Sequence, residues 1–144
     1  MSEKRILVIN GANMDLLGKR DKSALGTDTL ESIMDELIEY GREINVEVEA
    51  YQSNLEGELI NLLHRAEETY KGVIINPGSF GHYSIGLKEA IEPLHIPCVE
   101  VHLANFFRKP ENKSVLAPVC SGLICGFGKE SYKAALDGII KIIK

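Results

Sequence analysis

The chain has 144 residues, a formal net charge of −5 and a hydrophobic content of 44%. A chain of this length is expected to form a single domain, residues 1–144, that buries roughly 70% of its unfolded surface. The acidic balance, without a stripe of Lys and Arg, argues against a nucleic-acid partner. No apolar run approaches the roughly 18 residues of a membrane span. Residues 1–5 show no signal-peptide pattern, so the predicted location is the cytoplasm.

Apolar runs alternate along the chain with stretches whose apolar residues recur at helical spacing. The apolar runs predict five β-strands, at 5–9, 46–51, 72–76, 97–101 and 122–126. The amphipathic stretches predict helices at 29–44, 55–70, 84–92 and 129–144, the first capped by Thr27 or Asp28. Such alternation indicates βαβ crossovers. We therefore predict a flavodoxin-like α/β fold, a three-layer sandwich of a five-stranded parallel sheet with helices on both faces.

The three cysteines, Cys98, Cys120 and Cys125, are odd in number and match no zinc-binding spacing. Each lies among apolar residues, so we expect buried, reduced thiols. The His and acidic residues show no metal-ligand spacing such as His-Glu-x-x-His, and residues 10–18 lack the pattern of a phosphate-binding loop. The sequence therefore predicts neither a metal site nor a nucleotide cofactor.

Three polar clusters fall where predicted strands end. Asn10, Asn13 and Arg20 follow the first strand, residues 76–84 follow the third, and residues 100–105 follow the fourth. Neighbouring parallel strands lie about 4.8 Å apart, and ligands of open α/β sheets bind at the carboxyl ends of the strands. We expect the three clusters to line one crevice, with the small residues of 22–26 forming a lid.

His102 follows Glu100 by two residues and therefore lies on the same side of a strand, where the carboxylate can orient or charge the imidazole. A lone His at a strand end is more often structural, but this neighbourhood favours a general acid or base. Asn13 either satisfies backbone groups in a turn or acts as a catalytic amide. Arg20 is either a solvated charge or, in a crevice, an anion clamp that lowers a neighbouring pKa.

Three other features have more than one interpretation. His82 precedes a predicted helix, where it either binds substrate or caps the helix. His64 lies in a predicted helix and His95 in a turn, and we expect both to be structural. The long irregular stretch 105–118 is of the kind that compact domains reserve for function or an interface.

Several motifs, in the same order along the chain, resemble those of type II 3-dehydroquinate dehydratases. They cover the chain nearly end to end, at 9–13 (Ile-Asn-Gly-Ala-Asn), 16–20 (Leu-Leu-Gly-Lys-Arg), 52–59, 75–78, 100–105 and 118–128. The resemblance implies the dehydration of 3-dehydroquinate to 3-dehydroshikimate. In this family the reaction is an anti elimination through an enolate, without a metal, a Schiff base or another cofactor.

The resemblance also implies roles for residues at matching positions. Asn13 would hold a water that stabilises the enolate, and Arg20 would lower the pKa of the catalytic base. His102, oriented by Glu100, would protonate the leaving hydroxyl. The implied substrate-binding groups are Asn76, His82, Glu89, the backbone amides of Leu103 and Ala104, and Arg108.

Two departures from the family pattern stand out. The family places its base, a tyrosine, five residues after the lid arginine, whereas this chain has Leu25 there. Leucine cannot abstract a proton. The segment after Asn105 is also shorter than its family counterpart, which leaves Arg108 or Lys113 to meet the substrate carboxylate.

Two functions remain open at this point. The first is a hydro-lyase of this family, impaired or shifted to a related cyclic hydroxy-keto acid. The alternative is a non-catalytic ligand-binding or regulatory paralogue that keeps the pocket. The resemblance further implies a homo-oligomer, in which trimers with contacts around 52–59 assemble into a dodecamer.

Overall fold

Residues 4–19 and 28–143 are described by the computed structural model, and the predicted lid with Arg20 and Leu25 lies outside them. The strands are β1 (Arg5–Ala12), β2 (Glu47–Gln52), β3 (Gly72–Gly78), β4 (Cys98–His102) and β5 (Gly122–Cys125). The helices are α1 (Leu30–Glu43), α2 (Glu56–His64), α3 (Ala66–Thr69), α4 (Ile85–Ile91) and α5 (Glu130–Ile142).

The five strands form one parallel sheet in the order β2-β1-β3-β4-β5. The predicted flavodoxin-like fold is confirmed. Successive connections run to opposite sides of β1, so the strand order reverses between β1 and β3. Ligands of doubly wound sheets bind outside the carboxyl ends of the strands at such a switch point.

Alternate residues of the central strands build two separate apolar cores. Ile6 and Val8 of β1 pack with Ile74 of β3 against α1 and α5. Leu7 and Ile9 point the other way, into the core that α2 and α4 cover. Because side chains alternate across a strand, both faces of β1 and β3 must be apolar, which explains their continuous Ile, Leu and Val runs.

Two predicted helix boundaries are wrong. The cap of α1 is Thr29, not Thr27 or Asp28, because Thr29 and Ser32 form a capping box: each side chain accepts a hydrogen bond from the other's backbone N–H, at 3.1 Å. The single helix predicted at 55–70 is divided into α2 and α3 by Arg65, whose φ of −104° and ψ of 0° leave the helical region.

Strands β1 and β3 extend further than predicted and pair as far as Ala12 and Gly78. Gly11 permits this close approach, since a Cβ atom there would lie 2.1 Å from the carbonyl oxygen of Pro77. The extension brings Asn10 into β1, while Asn76 lies in β3, within the strand predicted at 72–76. Their positions are fixed by the sheet and not by the following loops.

The expected burial of the cysteines holds only for Cys98; Cys120 and Cys125 are half-buried, and all three are free thiols. Cys120 lies in a loop and Cys125 on β5, the edge strand of the sheet that residues 4–19 and 28–143 form. Across the described residues, none of the helices has the length and apolar character needed to cross a membrane.

Candidate active site

His102 and Glu100 form a buried pair at the end of β4. The His102 Nε2 lies 2.5 Å from Glu100 Oε2, and the Glu100 side chain has no exposed surface. A carboxylate only accepts hydrogen bonds, so Nε2 carries a proton and donates it to Glu100. This leaves Nδ1 as the nitrogen that can exchange a proton with a ligand. The pairing expected from the spacing of the two residues is present.

Ser114 holds the second oxygen of the same carboxylate, a contact that the sequence did not indicate. Its hydroxyl donates to Glu100 Oε1 at 2.7 Å. The Ser114 oxygen in turn accepts from the backbone N–H groups of Leu116 and Ala117, at 3.2 and 3.0 Å. The carboxylate is thereby fixed from both sides, which fixes the His102 ring. The irregular stretch 105–118 thus contributes a hydrogen-bonded support to the buried His102–Glu100 pair.

Asn13 follows β1 in a left-handed conformation, with a φ of 65° that Asn tolerates better than most residues. Its backbone N–H donates to Asn54 Oδ1 at 2.8 Å, and Gln52 donates to the same oxygen and to the Gly11 carbonyl. The Asn13 side chain makes no capping bond to the short helical turn Met14–Leu16 that follows. The turn is therefore held by its neighbours, and Asn13 lines the cavity described next.

One cavity of about 670 Å³ lies at the switch point of the sheet. It has the size expected for a small-molecule site. Nearly all the predicted site residues in the described part line it: Asn13, Asn76, His82, His102, Leu103, Ala104 and Arg108. The amide and imidazole groups that are far apart in the sequence therefore share one space.

Phe106 covers the imidazole of His102 inside this cavity. The two rings are stacked, with centroids 4.1 Å apart and an angle of 20° between planes. Phe106 also contacts the His82 ring, with centroids 5.2 Å apart, and its carbonyl accepts from Asn112 Nδ2 at 2.7 Å. The stack shields one face of His102 from water and leaves the ring edge for proton transfer. The sequence pointed to this segment only through its length without regular structure and its departure from the family pattern.

His82 does not cap the following helix. The cap of α4 is Ser84, whose hydroxyl oxygen accepts from the Leu87 N–H at 3.0 Å. Of the two interpretations of His82, the structure therefore removes the capping role and leaves the ring at the cavity wall.

The cationic side chains after Asn105 divide between cavity and surface. Arg108 and Lys109 line the cavity, whereas Lys113 is exposed outside it. Lys109 was not among the predicted residues. Glu89 is exposed on α4 and does not line the cavity. Within one chain, the structure therefore does not bring Glu89 to the other predicted residues.

The remaining histidines, and Tyr83, which follows His82 in the chain, lie away from the cavity. His64 and His95 are exposed, and His95 contacts Glu67. Tyr83 is 57% exposed and packs edge-on against Phe80 instead of lining the cavity. Within residues 4–19 and 28–143, no three His, Cys, Asp or Glu side chains are grouped to hold a metal ion.

Comparison with known proteins identifies the family. The family model described as dehydroquinase class II matches residues 4–140. The 3-dehydroquinate dehydratase of Clostridium perfringens is 46% identical over 97% of this chain and 99% of that protein. The type II dehydroquinase of Butyrivibrio crossotus superimposes with a TM-score of 0.90 at 38% identity, covering 95% of this chain and 97% of the other. This chain belongs to the class II dehydroquinase family.

This class II dehydroquinase has Leu25 at the position where the family pattern predicts a tyrosine. Arg20 and Leu25 lie outside the described residues, so their roles remain predictions from the sequence. The described part of the site contains His102, the predicted acid, together with its supports Glu100 and Ser114. Along residues 4–19 and 28–143, no tyrosine lines the cavity.

Ser114→Ala is expected to lower the free energy of unfolding by about 1–3 kcal/mol, because it removes a donor from a buried carboxylate and an acceptor from two N–H groups. Urea denaturation measures this change. Ser121→Ala is the matched control, since among the described residues the Ser121 hydroxyl accepts one bond, from the Cys98 N–H at 3.3 Å. Equal effects of the two substitutions would contradict the support assigned to Ser114.

Proposed function

We propose that this chain is a 3-dehydroquinate dehydratase, a hydro-lyase that converts 3-dehydroquinate to 3-dehydroshikimate by anti elimination of water. The supporting observation is the buried His102–Glu100 pair at a cavity that Asn13 and Asn76 also line. A relative named for this activity matches the chain over nearly its whole length.

The proposed reaction has two steps. A proton first passes from the carbon next to the ketone to solvent water, since Leu25 cannot accept it, and the electrons move to the ketone oxygen as an enolate. Asn13, through a water that it holds, donates to this developing charge. The enolate then re-forms the ketone as the carbon–oxygen bond to the hydroxyl breaks. The His102 imidazolium, charged and oriented by Glu100, gives its proton to that hydroxyl, and water leaves.

The rest of the cavity suits a small, hydroxylated acid. Asn76, His82 and the backbone amides of Leu103 and Ala104 would bind the hydroxyl and carboxylate oxygens of the substrate. Arg108 lies on the cavity wall, where its planar guanidinium can pair with a carboxylate through two hydrogen bonds. We assign the carboxylate to Arg108 in preference to Lys113, which is exposed outside the cavity.

The site lacks the family's catalytic base for the first step, the abstraction of the proton. Leu25 stands where the family has its tyrosine base. Without a positioned base, proton abstraction becomes slow and limits turnover. We therefore propose a slow dehydratase, in which the acid of the second step is fully assembled. A purely ligand-binding protein, which would share the same cavity, is the other outcome that the test below distinguishes.

We further propose that the chain assembles into a trimer-based dodecamer in the cytoplasm, where its free thiols would persist. Leu55 is 64% exposed and Ile85 55% exposed, at the adjoining ends of α2 and α4. The Ser84 hydroxyl bonds to Glu56 there and keeps the two ends together. These two exposed apolar side chains would supply part of the apolar surface that an interface between copies needs. Light scattering during size-exclusion chromatography measures the mass.

The proposed activity is tested with purified protein and 3-dehydroquinate. The product contains a conjugated carbonyl, so its ultraviolet absorbance reports turnover, and protein-free reactions give the background rate. We expect a slow rise that is proportional to protein concentration. Absence of product at high protein concentration, together with thermal stabilisation by 3-dehydroquinate, would instead show that the chain is a ligand-binding protein without this activity.

A further inference from the structure

A buried tyrosine hydroxyl joins the first strand, the last helix and the third strand beneath the cavity. Tyr132, near the start of α5, has no exposed surface. Its hydroxyl donates to Asn10 Oδ1 at 2.6 Å and accepts from Asn76 Nδ2 at 3.1 Å. Asn76 lines the cavity and is only 3% exposed. The tyrosine itself does not reach the cavity.

The sheet places these three side chains together. Asn10 and Asn76 are direct partners in the register of β1 and β3. Both follow Val8 and Ile74 at a spacing of two, on the face that α5 covers. The apolar core on this face thus ends at the floor of the cavity in a polar bridge, which consists of the hydrogen-bonded side chains of Asn10, Tyr132 and Asn76.

The direction of every hydrogen bond in the bridge is fixed from its two ends. At one end, the Tyr51 carbonyl only accepts, so Asn10 must turn its Nδ2 there, at 3.3 Å, and its Oδ1 toward Tyr132. The single hydroxyl proton of Tyr132 therefore goes to Asn10, and the oxygen accepts from Asn76. At the other end, the Gly78 N–H only donates, so it meets Asn76 Oδ1, at 3.3 Å.

We infer that Tyr132 is a positioning residue that fixes the orientation of the Asn76 carboxamide in the cavity. One Nδ2 hydrogen and one Oδ1 lone pair of Asn76 are used by the bridge, and the remaining ones are presented to a ligand in a single arrangement. Without the Tyr132 hydroxyl, the Asn76 carboxamide rotates more easily into the orientation in which Nδ2 and Oδ1 have exchanged places. The assignment to substrate binding rests on the proposed dehydratase function.

The hydroxyl of Tyr132 does not replace the missing base. Burial raises the pKa of Tyr132 well above its usual value, so the group keeps its proton at neutral pH. A permanently protonated hydroxyl can always donate to Asn10, which the bridge requires. The role of the Tyr132 hydroxyl is therefore to hold the Asn10 and Asn76 side chains in a fixed orientation.

Tyr132→Phe tests this inference, because it keeps the ring and removes only the hydroxyl. We expect kcat/KM for 3-dehydroquinate to fall about tenfold, mostly through KM, as for the loss of one fixed hydrogen bond. In the Asn76→Ala background the same substitution should change kcat/KM less than about twofold, because the group through which it acts is gone. An equal loss in both backgrounds would overturn the inference and show a general structural effect.

The matched control is Tyr40→Phe. The Tyr40 hydroxyl also bonds to a residue of α5, Asp137 at 2.6 Å, but it does so on the exposed surface. This variant should leave kcat/KM unchanged. A loss equal to that of Tyr132→Phe would count against the specific role of Tyr132.

Two further measurements keep the test independent of folding and of the proposed reaction. Side-chain amide NMR signals of Asn76 should shift in Tyr132→Phe and not in Tyr40→Phe, whether or not the protein turns over dehydroquinate. If Tyr132→Phe does not fold, Asn10→Leu removes the acceptor of Tyr132 instead. It should move the same Asn76 signals, and unmoved signals would overturn the inference.

Discussion

Replacing Leu25 with tyrosine is expected to raise the rate of dehydration by about 10²–10⁴-fold, the usual effect of a positioned general base. The family places its tyrosine at this position, five residues after Arg20. A nearby guanidinium favours the ionised form of a tyrosine and so lowers its pKa. His102, Glu100 and Asn13 are already in place, so the single substitution should supply the missing group. Initial rates from product absorbance give the comparison.

Leu25→Phe is the control for this gain. It supplies the aromatic ring without a hydroxyl and should leave the slow rate unchanged. A gain with phenylalanine as large as with tyrosine would show that ring packing, and not proton abstraction, is responsible. No gain with tyrosine would contradict the explanation of a missing base.

Replacing His102 with asparagine is expected to have the second large effect, and its size should depend on position 25. On the proposed mechanism, proton abstraction limits the rate of the native chain, so the loss of the acid for the second step is partly hidden. In the Leu25→Tyr chain the first step is fast, and His102→Asn should then lower kcat by about 10²–10⁴-fold. Measuring both backgrounds separates the two steps.

Glu100→Gln should give an intermediate loss in the Leu25→Tyr chain, since glutamine can accept from His102 but cannot stabilise its positive charge. His95→Asn is the control, because His95 also contacts a carboxylate, that of Glu67, but is exposed far from the cavity. His95→Asn should change the rate of neither the native chain nor the Leu25→Tyr chain. If His102→Asn has the same small effect in both backgrounds, His102 is not the acid.

The fold followed from local sequence patterns. Continuous apolar runs and helical spacing predicted all five strands and their parallel arrangement, because a parallel sheet requires covered faces and helical crossovers. The errors were at boundaries. A capping box moved the start of α1 to Leu30, and the conformation of Arg65 divided a helix that periodicity alone had joined.

The site was predictable where its residues lie on strands. Glu100 and His102 share a side because of the two-residue period of a strand, and Asn76 reaches the cavity because β3 ends there. Outside the strands, the family resemblance supplied Asn13, His82 and Arg108, whereas Ser114 and Phe106 were missed. Ser114 was overlooked because nothing in its own segment indicates a carboxylate partner, and Phe106 because stacking on His102 depends on the path of an irregular loop.

The sequence by itself determined the alternation of elements, the family and the set of polar groups at the ends of the strands, since these depend on spacing along the chain. Only the tertiary structure decided which groups support one another. Tyr132 meets Asn10 across 122 positions and Asn76 across 56. No local periodicity specifies such contacts, because they arise when the last helix packs on the finished sheet.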